Sequence, residues 1–288
     1  YFKYLCEIFS GIPVSMAAPS VFTIYNSKVD FKNTAVIGVS QSGQAEDVMA
    51  VMQNAREYGA LTVAVTNVKD SPMTKISDYT VYLNAGDEKC VAATKTFTAQ
   101  LYSLALIAAA LSGSEVLKSA LEEVPNVIEN VIKLDKEITS SALRYKDAPD
   151  CYILGRGISY AAAQEAALKM QETTYIKARA YAISDFYHGP FAVLDSDERV
   201  IVIAPNDRTI KDSLDIIARI KETGADLTVL TDNGEINADN IIRMPSCSEY
   251  ISPFAYAVCA QLFVCRLSVM KGLNPDSPRG LKKVTITL

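Results

Sequence analysis

Val36-Ile-Gly-Val-Ser-Gln-Ser-Gly-Gln44 stops an apolar run at two hydroxyls, an amide and a glycine, and a helical pattern starts at once with Ala45-Glu-Asp47. A short β-branched run that ends this way reads as a strand, a loop and the first turn of a helix. Tyr58-Gly-Ala-Leu-Thr-Val-Ala-Val-Thr-Asn67 then gives a second strand, and Tyr79 to Leu83 a short third. The same order returns about 160 residues later, with Val200-Ile-Val-Ile-Ala204, Glu222-Thr-Gly-Ala-Asp-Leu-Thr-Val-Leu-Thr-Asp-Asn233 and Ile241 to Met244. In each half a loop and a long apolar helix follow, carrying Ala99-Gln-Leu101 and Ala260-Gln-Leu262. Apolar runs of this length, alternating with helices, fit parallel strands covered on both faces.

The repeat therefore predicts an α/β chain of two tandem doubly wound parallel-sheet units, over residues 1–140 and 141–288. A helical segment from about Glu115 to Arg144 is expected to join them. The second unit opens with the strand Cys151-Tyr-Ile-Leu154, the loop Gly155-Arg-Gly-Ile-Ser159 and a helix from Tyr160. The first begins directly on helical residues at Tyr1, so its own opening strand and loop are expected ahead of that residue.

The chain has 288 residues, 49% of them hydrophobic and 21% charged, a globular composition. A formal net charge of −5 argues against a nucleic-acid partner, which would need a basic stripe. No apolar run approaches the ~18 residues of a bilayer span, and the richest, Leu101 to Leu111, reads as a buried helix. No membrane partner is expected. Cys6, Cys90, Cys151, Cys247, Cys259 and Cys265 are scattered without a C-x-x-C pair. They read as reduced, mostly buried thiols of a cytoplasmic protein.

The two halves differ where chemistry would sit. Ser40-Gln-Ser-Gly43 lies at the carboxyl end of a strand and the start of a helix, where free N–H groups and the helix dipole favour an anion. Gly43 lets the backbone approach closely, and Ser40, Gln41 and Ser42 offer uncharged donors. The alternative is a turn whose serines only cap the helix. The equivalent loop, Ala204-Pro-Asn-Asp207, has lost the hydroxyls and gained a carboxylate, a difference that favours phosphate at the first.

The second half carries Glu165, Lys169 and Glu172 at i, i+4 and i+7, on one face of a helix rich in Ala, Leu and Met. Their counterparts, near Cys6, Ser10 and Pro13, are not carboxylates or amines. Either the three form a reactive face or they are a solvated salt-bridge stripe. His188, the only histidine, stands in Asp185-Phe-Tyr-His-Gly-Pro190 and is either a functional base or a packed loop residue. Being alone, it cannot join a multi-histidine metal site. No G-x-S-x-G elbow, phosphate-binding P-loop or complete G-x-G-x-x-G fingerprint is present.

Five segments in order carry a family resemblance along nearly the whole chain: Ser40-Gln-Ser-Gly43, Val91-Ala-Ala-Thr-Lys-Thr-Phe97-Thr-Ala-Gln100, Glu165 to Glu172, Tyr187-His-Gly-Pro190 and Asp276-Ser-Pro-Arg-Gly-Leu-Lys-Lys283. Together they resemble the double sugar-isomerase (SIS) domain family, notably the isomerase half of glucosamine-6-phosphate synthase and amino-sugar-6-phosphate deaminases. The resemblance implies two flavodoxin-like SIS units and a hexose 6-phosphate or amino-sugar phosphate ligand. Ser40, Gln41, Ser42 and Gly43 would hold the phosphate. Glu172 would move a proton between C1 and C2 of the open-chain sugar, flanked by Lys169 and Glu165. His188 would open and close the sugar ring from the neighbouring subunit, which implies a homodimer. Lys283, on a C-terminal active-site tail, would contact the open-chain sugar and form an imine with it, and Val91 would line the sugar site.

Two positions depart from the pattern: Ala45 replaces a phosphate-binding threonine and Ala93 a serine. No glutaminase domain lies in these residues, so ammonia is not expected to be drawn from glutamine by them alone. The implied activity interconverts glucosamine 6-phosphate, or a related aminohexose phosphate, with fructose 6-phosphate and ammonia, and requires no metal or redox cofactor. The alternatives are the isomerase half of a glutamine-dependent aminotransferase and, in another class, a sensor that binds a sugar phosphate without turning it over.

Overall fold

The computed structural model describes residues 1–283 and forms two compact units. Cys6–Ser112, with Phe2 and the described residues from Gly280 on, make the earlier unit; Gly113–Arg279, with Tyr1 and Lys3–Leu5, make the later one.

Helix α1 (Phe2–Ser10) opens the chain, and in the earlier unit α2 (Pro19–Thr23) precedes a parallel sheet of β1 (Ala35–Val39), β2 (Leu61–Thr66) and β3 (Tyr79–Tyr82), in that spatial order. Helices α3 (Glu46–Glu57) and α4 (Pro72–Ile76) alternate with the strands, and α5 (Lys95–Ser112) follows. Val36 pairs with Thr62, and Val63 with Tyr79. A Cβ at Gly38, in the middle of β1, would lie 2.1 Å from Met52 Sδ, so the bare backbone there lets α3 lie close on the sheet. Met52, Ala64 and Met73 form the buried centre, with Val36, Val48, Met49 and Ile76 packed around it.

The later unit begins with α6 (Glu115–Glu122), α7 (Val124–Ile132) and α8 (Asp135–Leu143). Its sheet has β4 (Asp150–Gly155), β5 (Lys177–Ala182), β6 (Arg199–Ile203), β7 (Asp226–Thr231) and β8 (Asn240–Arg243), ordered β5-β4-β6-β7-β8 with every pair parallel. Counted within the unit this is the flavodoxin-like order, second-first-third-fourth-fifth. Alternate strand residues serve opposite faces. Tyr152, Leu154, Val200, Val202, Leu227 and Val229 meet Ile216, Ile217 and Ile220 of α11 (Ile210–Thr223). On the other face α9 (Tyr160–Thr174) packs against α12 (Ser252–Met270), while the short α10 (Ile183–Phe186) follows β5. Tyr145, fully buried, donates to Thr228 Oγ1 at 2.9 Å and meets the Phe263 ring of α12 edge-on.

The structure departs from the sequence expectations in three ways. The segment expected as a linker belongs to the later unit, because Leu117, Leu121, Val124, Val127, Val131 and Ile138 are all buried there. Asp135 also takes a two-pronged ion pair from Arg266 of α12 at 2.8 and 2.9 Å. β5 is a strand that the sequence reading does not contain. Among the described residues it pairs with β4 alone, and its charged Lys177 and Arg179 suit a sheet edge. Finally, α12 carries an apolar stretch that the sequence reading passes over, long and apolar enough by composition to cross a membrane. It lies in the core instead: Phe254, Tyr256, Phe263 and Leu267 are buried, each worth roughly 1.5–3 kcal/mol against exposure. The cysteines are all unbridged; Cys6, Cys151 and Cys259 are buried and the other three partly so.

Candidate active site

The loop after β1 is tied down by backbone. Ser40 N–H donates to Val65 O at 3.1 Å, Asn67 N–H to Gln41 O at 3.1 Å and Met73 N–H to Gly43 O at 3.0 Å. Ser40 Oγ accepts from Gly43 N–H at 3.1 Å, and Ser42 Oγ from Gln44 N–H at 3.3 Å. The N-cap of α3 is Ala45, with no side-chain cap, so the serines brace the loop and do not cap the helix. Gly43 has φ +63°, and a Cβ there would lie 2.1 Å from Ser71 Oγ, so both conformation and space demand glycine. Glu46 and Asp47 in the first turn of α3 suit the helix dipole, and their charge limits what that turn adds toward an anion. The donors of the loop are left as the main attraction.

The equivalent loop in the later unit is filled by its own groups. Asp207 Oδ1 accepts from Thr209 N–H at 2.7 Å and Thr209 Oγ1 at 2.6 Å. Asp232 Oδ1 takes Asn206 N–H at 2.7 Å, and Arg208 is paired with Glu249. Burial raises the Asp207 carboxyl above the usual range. An anion would find two carboxylates and a spoken-for guanidinium there.

Val91 and Ala93 lie in the irregular stretch before α5. Glu88, only 5% exposed, accepts from Thr94 N–H, Thr96 N–H and Thr96 Oγ1 at 3.1, 3.0 and 2.9 Å. That single carboxylate caps α5 and closes a ring of backbone around Val91 and Ala93. Sequence spacing does not reveal it, because it acts six to eight residues from its partners.

Glu165, Lys169 and Glu172 share a face of α9, and they are not a solvated stripe: Glu165 is 4% exposed and Lys169 6%. Lys169 Nζ donates to Glu172 Oε2 at 2.7 Å and lies 3.8 Å from Glu165 Oε1. Gln261 Nε2, from α12, donates to Glu165 Oε1 at 3.0 Å. Burial pushes the Glu165 carboxyl up to about 7, against the pull of Lys169 and of the Gln261 hydrogen bond. The array thus joins an acid poised near neutrality, an ammonium and a more open carboxylate whose side chain is 22% exposed. Such a chain can take up a proton and return it. Gln261 belongs to the repeated Ala-Gln-Leu without a role that the sequence assigns; a lone amide in a buried apolar helix is the available signal. At 1.5 Å per residue, Glu172 lies roughly 18 Å along α9 from Tyr160. The array therefore runs down the helix, away from the carboxyl edge of its own sheet, where the loops 155–159 and 204–209 meet as Gly157 approaches Thr209.

His188 is exposed on the turn after α10, its N–H donating to Asp185 O at 3.1 Å. It shares a cavity of 280 Å³ with Arg156, Ile183, Ser184, Tyr187, Asp212 and Asp215. None of the three α9 residues lines that cavity. Lys283 is exposed and falls with the earlier unit, not the later one. Among the described residues no cluster of three or more His, Cys, Asp or Glu side chains is arranged to hold a metal.

The model of the SIS domain family matches residues 19–110 and 145–271. Glutamine–fructose-6-phosphate aminotransferase (isomerizing) of Escherichia coli is 37% identical over 99% of this chain and 49% of the relative, so the chain spans about half the length of such curated relatives. The solved C-terminal domain of glucosamine-fructose-6-phosphate aminotransferase from Francisella tularensis is 25% identical, with a TM-score of 0.90 over 96% of this chain and 82% of that one. A glucosamine-6-phosphate deaminase from Thermotoga maritima, 20% identical, shares the fold with a TM-score of 0.78 over 99% of this chain and 85% of its own.

Proposed function

This chain belongs to the SIS domain family, and on that footing we propose that it interconverts glucosamine 6-phosphate, or a close aminohexose relative, with fructose 6-phosphate and ammonia. The observation that carries the proposal is the buried Glu165–Lys169–Glu172 array, with Lys169 held 2.7 Å from Glu172. Aldose–ketose interconversion needs a carboxylate within reach of two neighbouring carbons and a group that carries the oxygen-bound proton. Glu172 is the base between C1 and C2, and Lys169 and Glu165 handle the second proton. Ser40, Gln41, Ser42 and the Gly43 backbone grip the distal phosphate, and that remote binding orients the reacting end. The hydroxyl missing at Ala45 leaves this grip to the loop itself. Lys283 forms an imine with the open-chain ketose, Val91 and Ala93 line the sugar, and His188 opens the ring.

Ammonia release from glucosamine 6-phosphate, followed with a coupled dehydrogenase assay, tests the proposal: steady turnover is expected, and none on any hexose or aminohexose 6-phosphate would end it. A second reading, the isomerase half of a glutamine-dependent aminotransferase, is favoured by the 37% identity to such enzymes across half their length. It predicts that amination of fructose 6-phosphate proceeds with glutamine when a glutaminase domain is supplied, and outpaces ammonium at the same concentration. Binding of the sugar phosphate with no turnover would point instead to a sensor.

We further infer a homodimer in which His188 serves the neighbouring subunit's sugar. Mixing inactive His188→Ala and inactive Glu172→Gln proteins, then allowing subunit exchange, is expected to restore about a quarter of wild-type turnover, since half the dimers then hold one intact site. No recovery, with exchange verified by mass, would place His188 in its own chain's site.

A further inference from the structure

Tyr175 follows α9 in the left-handed region, with φ 61° and ψ 15°. That position after a helix favours glycine, because a side chain there is strained. A strained residue persists where its surroundings hold it, and it is a reason to look for a function. The Tyr175 ring shows what holds it. The Arg279 guanidinium carbon lies 4.0 Å from the ring centroid, and Arg279 N–H donates to Tyr175 Oη at 2.8 Å. One side chain therefore grips both the guanidinium and the backbone of the same residue. Pro278, just before, is buried, and the turn behind it is closed by Asp276 N–H on Asn274 Oδ1 at 3.0 Å and Ser277 N–H on Asn274 O at 3.3 Å. Arg279 is the last residue of the later unit, and Lys283 stands four residues beyond it.

We propose that Tyr175 is the positioning residue for Lys283. It fastens the tail to the end of α9, three residues after Glu172, so that the segment carrying the amine leaves from a fixed point on the helix that carries the base. The role rests on the imine chemistry proposed for Lys283. In that step the Lys283 amine adds to the C2 carbonyl of fructose 6-phosphate and water leaves, giving the imine. Added borohydride then delivers hydride to the imine carbon and leaves a stable secondary amine, which mass spectrometry locates. Tyr175 touches no reacting atom in this scheme.

The test compares wild type with Tyr175→Gly and Tyr175→Phe. Tyr175→Gly is expected to melt no lower than wild type, since glycine suits the backbone, yet to form the trapped Lys283 adduct about tenfold more slowly. Tyr175→Phe keeps the stacked ring and loses the hydrogen bond, so its trapping rate falls between the two. Backbone amide exchange at Arg279 should be slow in wild type and faster in both variants, a readout independent of turnover. Equal trapping rates in wild type and Tyr175→Gly would overturn the positioning role while leaving the chemistry of Lys283 in place. Absence of a wild-type adduct would overturn the role of Lys283 and the proposal with it. If Tyr175→Gly proves less stable, Tyr175→Phe decides the matter: Arg279 exchange equal to wild type overturns the anchor.

Discussion

Glu172→Gln is expected to lower turnover by about a thousandfold, the middle to upper range for loss of a positioned base, with KM changed less than about threefold. The amide is nearly isosteric, and its oxygen can still accept from Lys169, which stands 2.7 Å from the native carboxylate. Phosphate binding is expected to survive because the donors proposed for it belong to the 40–43 loop. Substrate should still saturate the variant, and only the proton step should fail. The exchange of solvent deuterium into the sugar at C1 or C2 separates these effects, since it reports proton transfer alone. Full exchange and full turnover in Glu172→Gln would remove the residue from the mechanism. There is also an electrostatic consequence: the Glu172 charge helps raise the Glu165 carboxyl, so in the variant Glu165 should titrate lower.

The second large effect concerns stability. The Glu165 carboxyl has an ordinary value of 4.5 and is pushed to about 7 by burial. Between those values the native protein keeps a proton that the unfolded chain has released. Stability is therefore lost as pH rises from about 4.5 through about 7. Each pH unit of separation is worth about 1.4 kcal/mol, so the loss reaches up to about 3 kcal/mol. Glu165→Gln removes the titration, and the amide that replaces the carboxyl needs no added proton to stay buried. Urea melts of both proteins should diverge in the variant's favour from about pH 5 to 8 and run level below the ordinary value of 4.5. Parallel curves across the whole range would show that Glu165 titrates normally, and the acid poised near neutrality would be lost from the site.

Much of the fold is legible because it rests on local apolar runs: the strands at 36–39, 61–66, 151–154, 200–203 and 241–243 follow from Val and Ile content alone. β5 escapes such a reading because Lys177-Ala-Arg-Ala-Tyr-Ala182 has no such run; it is a strand through its ladder to β4. Its alternation of charged and small residues is the available sign of an edge. The three helices from Glu115 to Leu143 read as a connector because amphipathic helices do not announce which body they bury against. Among the site residues, the α9 face is visible as spacing, but its burial is not, and burial is what separates a reactive array from a surface stripe. Tyr175 cannot be seen at all, since nothing in a sequence of tyrosine, isoleucine and lysine signals a left-handed turn.

The order in which the later unit's helices leave the ribosome gives α12 one more property. A 19-residue segment apolar enough to enter a bilayer is a hazard while a chain is being made, when targeting machinery inspects each stretch as it emerges. Here α7, α8 and α9, the helices it packs against, all precede it in the chain. At about 5–20 residues per second of synthesis, they have existed for seconds before Ser252 appears. The segment meets its cover on arrival, so vectorial synthesis itself shortens the time in which α12 could be mistaken for a membrane anchor.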